Sequence, residues 1–244
     1  MSGHSKWNNI KRKKEKTDAQ KAKVFTKIGR EIAVAVKEGG ADPSSNSKLR
    51  DLIAKAKANN VPNDNIDRVI KKAGSNDGKD YETIVYEGYG PSGIAVIVEC
   101  LTDNRNRTAA DMRHYFDKFG GNMGQSGCVS YLFSESGIIV IENNSLDEDE
   151  VMEACVEAGA GDFEFQDDIV EIVTEPSELS SVREALSQKY NIISAEVEKI
   201  PSTYVRIDDA EIANKMNLLL SHMEDNDDVQ NVYHNWENME DFED

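Results

Sequence analysis

Near residue 79 the apolar residues of this chain change their spacing, from three and four apart to every second position, and no one element satisfies both periods. The change divides the chain into a helical front and an α/β remainder. In the front, Phe25, Ile28, Ile32 and Val36 form a stripe along a helix over 17–38, which Thr17 and Gln20 open as a capping box and Gly39 and Gly40 stop. A second helix follows DPSSNS, carries Leu49, Leu52, Ile53 and Ala56, and ends before Val61 and Pro62. The third, NDNIDRVIKKAG, has Asp64 and Asp67 in its first turn and Lys71 and Lys72 in its last, the order that the helix dipole favours. Each stripe needs an apolar partner, and short connections let the three helices supply one another as a bundle.

Beyond residue 79, strands are expected over 82–87 and 94–101 about the turn GYGPSG. The loop TDNRNR leads into a helix over 109–119, with Thr108 and Asp111 spaced as a capping box and Gly120 and Gly121 as its stop. A strand over 128–133 is expected after GGNMGQSG. Residues 138–198 read as strand, helix, two strands across QDD, helix and strand, the β-α-β-β-α-β order of the ferredoxin-like plan. A strand over 203–207, a helix over 209–223 and a strand over 229–234 follow. Joined across the 138–198 unit, the flanking segments repeat that order with one extra strand. The fold class expected is therefore α+β: an N-terminal three-helix bundle followed by two ferredoxin-like α/β domains, one inserted in the other. The corresponding domains are 1–78, 79–134 plus 202–244, and 135–201.

Charge divides along the same line. Residues 1–80 hold 19 Lys and Arg against 10 Asp and Glu, whereas the remainder holds 9 against 36, within a formal net charge of -18. Salt confines each patch's field to about 10 Å, so the front can hold a polyanion locally while the body repels one elsewhere. The most apolar run, IAVIVECL at 94–101, is far short of the roughly 20 residues a membrane-spanning helix needs. No apolar stretch of a secretory signal follows the charged N-terminus. Cys100, Cys128 and Cys155 form no CxxC pair and sit in apolar surroundings, the pattern of reduced, buried thiols in the cytoplasm.

Catalytic signals are absent from the sequence. His4, His114, His222 and His234 have no second His or Cys at metal-ligand spacing. GGNMGQSG lacks both the GxGxxG spacing and the Lys-Ser/Thr of a P-loop, and neither GxSxG nor HExxH occurs. No catalytic residue, metal or cofactor is expected, and the chain reads as something other than an enzyme. TDNRNR is more informative, because between 81 and 182 the only Lys or Arg residues are Arg105, Arg107, Arg113 and Lys118. Two readings stand side by side: a small anion-binding spot at a helix N-terminus, or arginines paired with carboxylates of the acidic body.

The N-terminal arm carries the plainest signal, with 10 Lys and Arg against 2 acids in residues 1–30 and Trp7 able to stack on a base or ribose. Lysines and arginines neutralise phosphates with little regard for base sequence. The residues expected to touch nucleic acid are Lys6, Trp7, Lys11, Arg12, Lys13, Lys14, Lys16, Lys21, Lys23 and Lys27, with Arg105 and Arg107 as a second contact.

GHSKWNNIKRKK, REIAVAVKEGGADPSSNSKLRDLIAKAKANNVPNDNIDRVIKKA, YEGYGPSGIAVIVECLTDNRNRTAADMRHYFDKFGG and the GxxGxxGCVSYLF segment together resemble the YebC family, through essentially the whole chain. The resemblance implies a cytosolic, three-domain protein with an N-terminal helical domain and two α/β domains. It also implies a role in gene expression. Bacterial members are described as DNA-binding transcriptional regulators. Other members, including a mitochondrial translational activator, look like ribosome-associated, RNA-binding translation factors that help particular messages or proline-rich nascent chains. Val61 stands where the family usually has methionine and Cys128 where serine is expected, and the acidic end with Glu237, Glu240, Asp241, Glu243 and Asp244 is less typical. The partners implied are nucleic acid, DNA or ribosomal RNA, and through the latter the ribosome. No membrane partner is implied, and a monomer is the favoured state.

Overall fold

The computed structural model of the protein describes residues 18–75 and 80–242. Their elements, in chain order, are α1 (Asp18–Gly39), α2 (Ser47–Ala58), α3 (Asn63–Ala73), β1 (Glu82–Tyr89), β2 (Ala95–Thr102), α4 (Arg105–Lys118) and β3 (Asn122–Met123). There follow β4 (Phe133–Glu142), α5 (Glu148–Ala158), β5 (Asp162–Phe165), β6 (Ile169–Thr174), α6 (Leu179–Leu186), β7 (Ile192–Pro201), α7 (Ala210–Asp225) and β8 (Val229–His234). The described residues fall into two compact units, one made of 18–75, 80–130 and 205–242, the other of 131–204.

Within the first unit the helical stripes meet as their spacing requires. Ile28, Ile32, Ala35 and Val36 of α1, Leu49 and Ala56 of α2, Ile66 and Ala73 of α3, and Val61 between them are buried in one cluster. Beyond it, β1 and β2 pair antiparallel along their whole length about the turn at Pro91–Gly93, and the sheet runs β3-β1-β2-β8. Val96, Val98 and Cys100 of β2 meet Met112 and Phe116 of α4 and Met216, Leu219 and Met223 of α7 in the largest core cluster. At Gly88 a Cβ would lie 2.5 Å from the Asn122 carbonyl and 3.0 Å from the Phe116 ring, so glycine is what lets β3 and α4 close on β1.

Two strands expected from the sequence take another form. Residues 128–133 are a loop and a single 3₁₀ turn until β4 begins at Phe133, and the glycine-rich segment before them supplies the two-residue β3. The reason lies in β1: the buried Glu87 carboxylate accepts the N–H groups of Gly127, Val129 and Ser130, donors that a ladder would have needed. Residues 203–207 contribute only the isolated parallel bridge from Val205 to Trp236. Both places beside β2 are taken, one by β1 and the other by β8, so the 203–207 segment has no edge of that strand left to pair with.

The second unit follows the sequence-based order closely. Its strands run β5-β6-β4-β7, all neighbours antiparallel, with α5 and α6 packed on Ile139, Ile141, Val170 and Ile172. That is the ferredoxin-like arrangement. The molecule is thus α+β, with N-terminal helices followed by two four-stranded sheets.

Candidate nucleic-acid interface

TDNRNR is a helix cap whose two arginines go different ways. β2 ends at Thr102, whose hydroxyl accepts the Asn104 N–H at 2.9 Å, and Asn104 Oδ1 accepts the Arg107 N–H at 3.1 Å to open α4. Arg105 points outward, its side chain 69% exposed and 3.9 Å from the Glu82 carboxylate. Arg107 turns back. Its Nη2 donates to Asp228 at 2.7 Å and to Asp103 at 3.0 Å, so of the two readings of this motif Arg107 follows the carboxylate-paired one.

Asp228, which the sequence reading passed over, is the hub of this region. Its side chain is 4% exposed and sits in the turn between α7 and β8. The Arg30 guanidinium of α1 donates to one carboxylate oxygen; Arg107, Thr108 and Thr102 donate to the other, the hydroxyls at 2.7 and 3.1 Å. Burial by itself would raise the carboxyl's pKa, but the hydrogen bonds from Arg107, Thr108 and Arg30 prevail and hold it at about 2. Arg30 also donates to the Leu101 carbonyl at 3.0 Å and lies over the Tyr81 ring, 5.5 Å from its centre.

Two further cations of α1 meet the same corner, and a third is paired elsewhere. Lys23 Nζ donates to the Asp225 carboxylate and Lys27 Nζ to the Glu224 carbonyl, both at 2.7 Å, and Lys37 pairs with Asp80. Two of the lysines expected to hold phosphate thus face an acidic segment of the chain itself. Lys21 is exposed on α1. Lys6, Trp7, Lys11, Arg12, Lys13, Lys14 and Lys16 lie outside the described residues, as do Glu243 and Asp244. On α2 and α3, Lys48, Arg50, Lys57, Arg68, Lys71 and Lys72 are exposed, opposite the buried stripe.

A second buried carboxylate, Glu87, was also missed by sequence reasoning. Burial pushes its pKa upward, yet the three N–H donors of the 127–130 loop outweigh that and lower it. Its only sequence signal is an acid in the interior of a β-rich run, the second acid of β1 after Glu82. Cys100 is buried and its thiol is pushed up to about 12, chiefly by burial; Cys155 is buried and Cys128 half-buried. Among the described residues no group of three His, Cys, Asp or Glu side chains is placed to hold a metal ion, and no helix is long and apolar enough to cross a membrane.

Family models match both halves of the chain: one described as the TACO1/YebC protein N-terminal domain over residues 5–76, the other as the TACO1/YebC second and third domain over 81–236. The chain belongs to the TACO1/YebC family. The boundary between the two family models coincides with the change of apolar period near residue 79. A Ruminiclostridium cellulolyticum relative, named probable transcriptional regulatory protein, is 60% identical over 100% of this chain and 99% of its own. A Finegoldia magna relative of the same name is 56% identical over 98% of this chain and 100% of its own. Among solved structures, a conserved hypothetical protein from Aquifex aeolicus superposes with a TM-score of 0.82 at 45% identity, covering 91% of this chain and 92% of that one. This chain and the Aquifex aeolicus protein therefore share one fold over nine-tenths of their lengths.

Proposed function

We propose that this protein is a cytoplasmic, nucleic-acid-binding regulator of gene expression, acting as a DNA-binding transcriptional regulator that grips phosphates with its N-terminal arm and helical domain. The observation that carries the proposal is the segregation of charge, 19 Lys and Arg against 10 acids in residues 1–80 and 9 against 36 beyond them. The names of the Ruminiclostridium and Finegoldia relatives support the regulatory reading. Domains at 1–78, 79–134 plus 202–244, and 135–201 belong to the same proposal: the first binds, and the acidic two face away from phosphate.

A second reading is favoured by the kind of cation displayed. Of the six exposed cations of α2 and α3, four are lysines, which serve as point charges on phosphate more than as forks on base edges. Binding of that kind suits a folded RNA surface, and with it a ribosome-associated translation factor that aids synthesis of particular proteins, such as those with proline-rich stretches. Crosslinking the protein in living cells and sequencing the attached DNA and RNA separates the two. Enrichment of promoter DNA is expected for a transcriptional regulator. Enrichment of ribosomal RNA with no DNA signal would replace that reading by the translational one.

A further inference from the structure

Building on that reading of the basic front as a phosphate-binding surface, we propose that the acidic corner Glu224–Asp228 is an internal stand-in for a phosphate chain, seated on the cations of α1 and displaced when a polyanion binds. Lys23, Lys27 and Arg30 are spaced four and three apart and share one helix face. They continue in sequence the basic stretch that begins at Lys6. One short segment meets all three, through the Asp225 carboxylate, the Glu224 carbonyl and the Asp228 carboxylate. Anionic and carbonyl oxygens accept from ammonium and guanidinium groups in the geometry that phosphate oxygens use. The C-terminal end of α7 adds its negative dipole at the same place. An open cleft of about 500 Å³ runs along this junction, lined by Lys23, Arg30, Arg107, Asp103, Asp225 and Asp228.

The pairings differ in how easily they exchange, and their order is what makes displacement feasible. The side chains of Lys23 and Asp225 are 38% and 61% exposed, so water and salt screen the pair and breaking it costs little. Those of Arg30 and Asp228 are 15% and 4% exposed, and separating them would strand a buried charge. A polyanion entering along α1 therefore replaces Asp225 and the Glu224 carbonyl at Lys23 and Lys27, and stops at Arg30, where the helical domain stays anchored to the sheet. Every polyanion gives up part of its affinity to this exchange, and the corner sets a threshold that weak, diffuse binding fails to pass.

A double-mutant cycle on the full-length protein tests this, with inorganic polyphosphate as the generic polyanion and random-sequence RNA and DNA beside it. Asp225→Asn is expected to tighten polyphosphate binding about two- to five-fold at low salt, and that gain is expected to vanish in a Lys23→Gln background. Both side chains are solvent-accessible, and thermal melts of each variant verify that the fold is unchanged. An equal gain in both backgrounds would mean a diffuse field effect and overturn the proposal; so would no gain, or no polyphosphate binding by any variant. The two readings fail separately. Polyphosphate binding that follows the cycle while DNA and RNA do not bind sinks the nucleic-acid function but keeps the competing corner. Nucleic-acid binding that ignores Asp225 does the reverse.

Discussion

Asp228 is a charge taken almost wholly out of water and held there by two guanidinium groups and two hydroxyls. Such a carboxylate is tolerable only while its partners are in place, since an isolated buried charge costs several kcal/mol. Its pKa of about 2 lies below the ordinary carboxylate value of 3.8, so the folded state holds the proton less tightly than the unfolded state does. The resulting stability, on the order of 2 kcal/mol, is fully present above about pH 4 and is lost as the pH falls through about 2. Urea unfolding of wild type and Asp228→Asn across that window should show it as a difference between the two proteins: the Asn variant less stable by about 2–4 kcal/mol near neutrality, with the gap narrowing as acid protonates the wild-type carboxyl. A gap that stays constant with pH would mean that Asp228 acts by shape and hydrogen bonding rather than by charge.

At the scale of elements, polar side chains decide where helices and strands begin and stop. Asn46 opens α2 by accepting the Leu49 N–H at 3.0 Å, and its amide donates to the Ala35 and Gly40 carbonyls at 2.8 and 2.9 Å, closing the C-terminal end of α1. One buried side chain thus finishes two helices, and Gly39 leaves room for it, since a Cβ there would lie 2.7 Å from the Asn46 amide nitrogen. Asn46→Ala should cost about 2 kcal/mol or slightly more, because the cap goes and two carbonyls are left bare. Asn46→Asp, which keeps the acceptor and removes the donors, should fall between. Equal stability of all three proteins in chemical denaturation would show that the α1–α2 junction is held by the apolar cluster alone. Glu87 works in the same way on β1, and the strand expected over 128–133 failed because no propensity argument anticipates a carboxylate that captures three backbone donors at once.

For the molecule as a whole, the distribution of charge matters more than its sum. A formal net charge of -18 would repel nucleic acid from most of the surface, which leaves the basic front as the one region where phosphates are favoured. Poses that press the acidic body against phosphates bring like charges together at a desolvated interface and are disfavoured. Replacing Lys11, Arg12, Lys13 and Lys14 with alanine is expected to weaken binding to unrelated sequences alike. The slope of log affinity against log salt should become shallower by about 0.7–0.9 for each phosphate that is no longer neutralised. Fluorescence titrations at several salt concentrations measure both quantities. An unchanged slope would remove the arm from the interface.

The α+β class, the helical front, the ferredoxin-like order of β4 to β7 and the basic-acidic division are all legible in the residues alone. Each of these rests on local periodicity or on counting, which need no knowledge of what lies opposite. The helix after TDNRNR was legible, but its start was not: the capping box expected at Thr108 gives way to a cap at Asn104, because the Thr108 hydroxyl lies inside the helix and donates to Asp228. The parting of Arg105 from Arg107 was equally hidden. Long-range packing is what brings Arg107 and Arg30 onto Asp228, more than a hundred residues away from either, and sets Lys23 and Lys27 against the end of α7. In the sequence Asp228 is one acid among the 46 Asp and Glu residues, with nothing to set it apart. Burial and the convergence of donors from α1, α4 and β2 single it out, and both arise from long-range packing that no local pattern encodes.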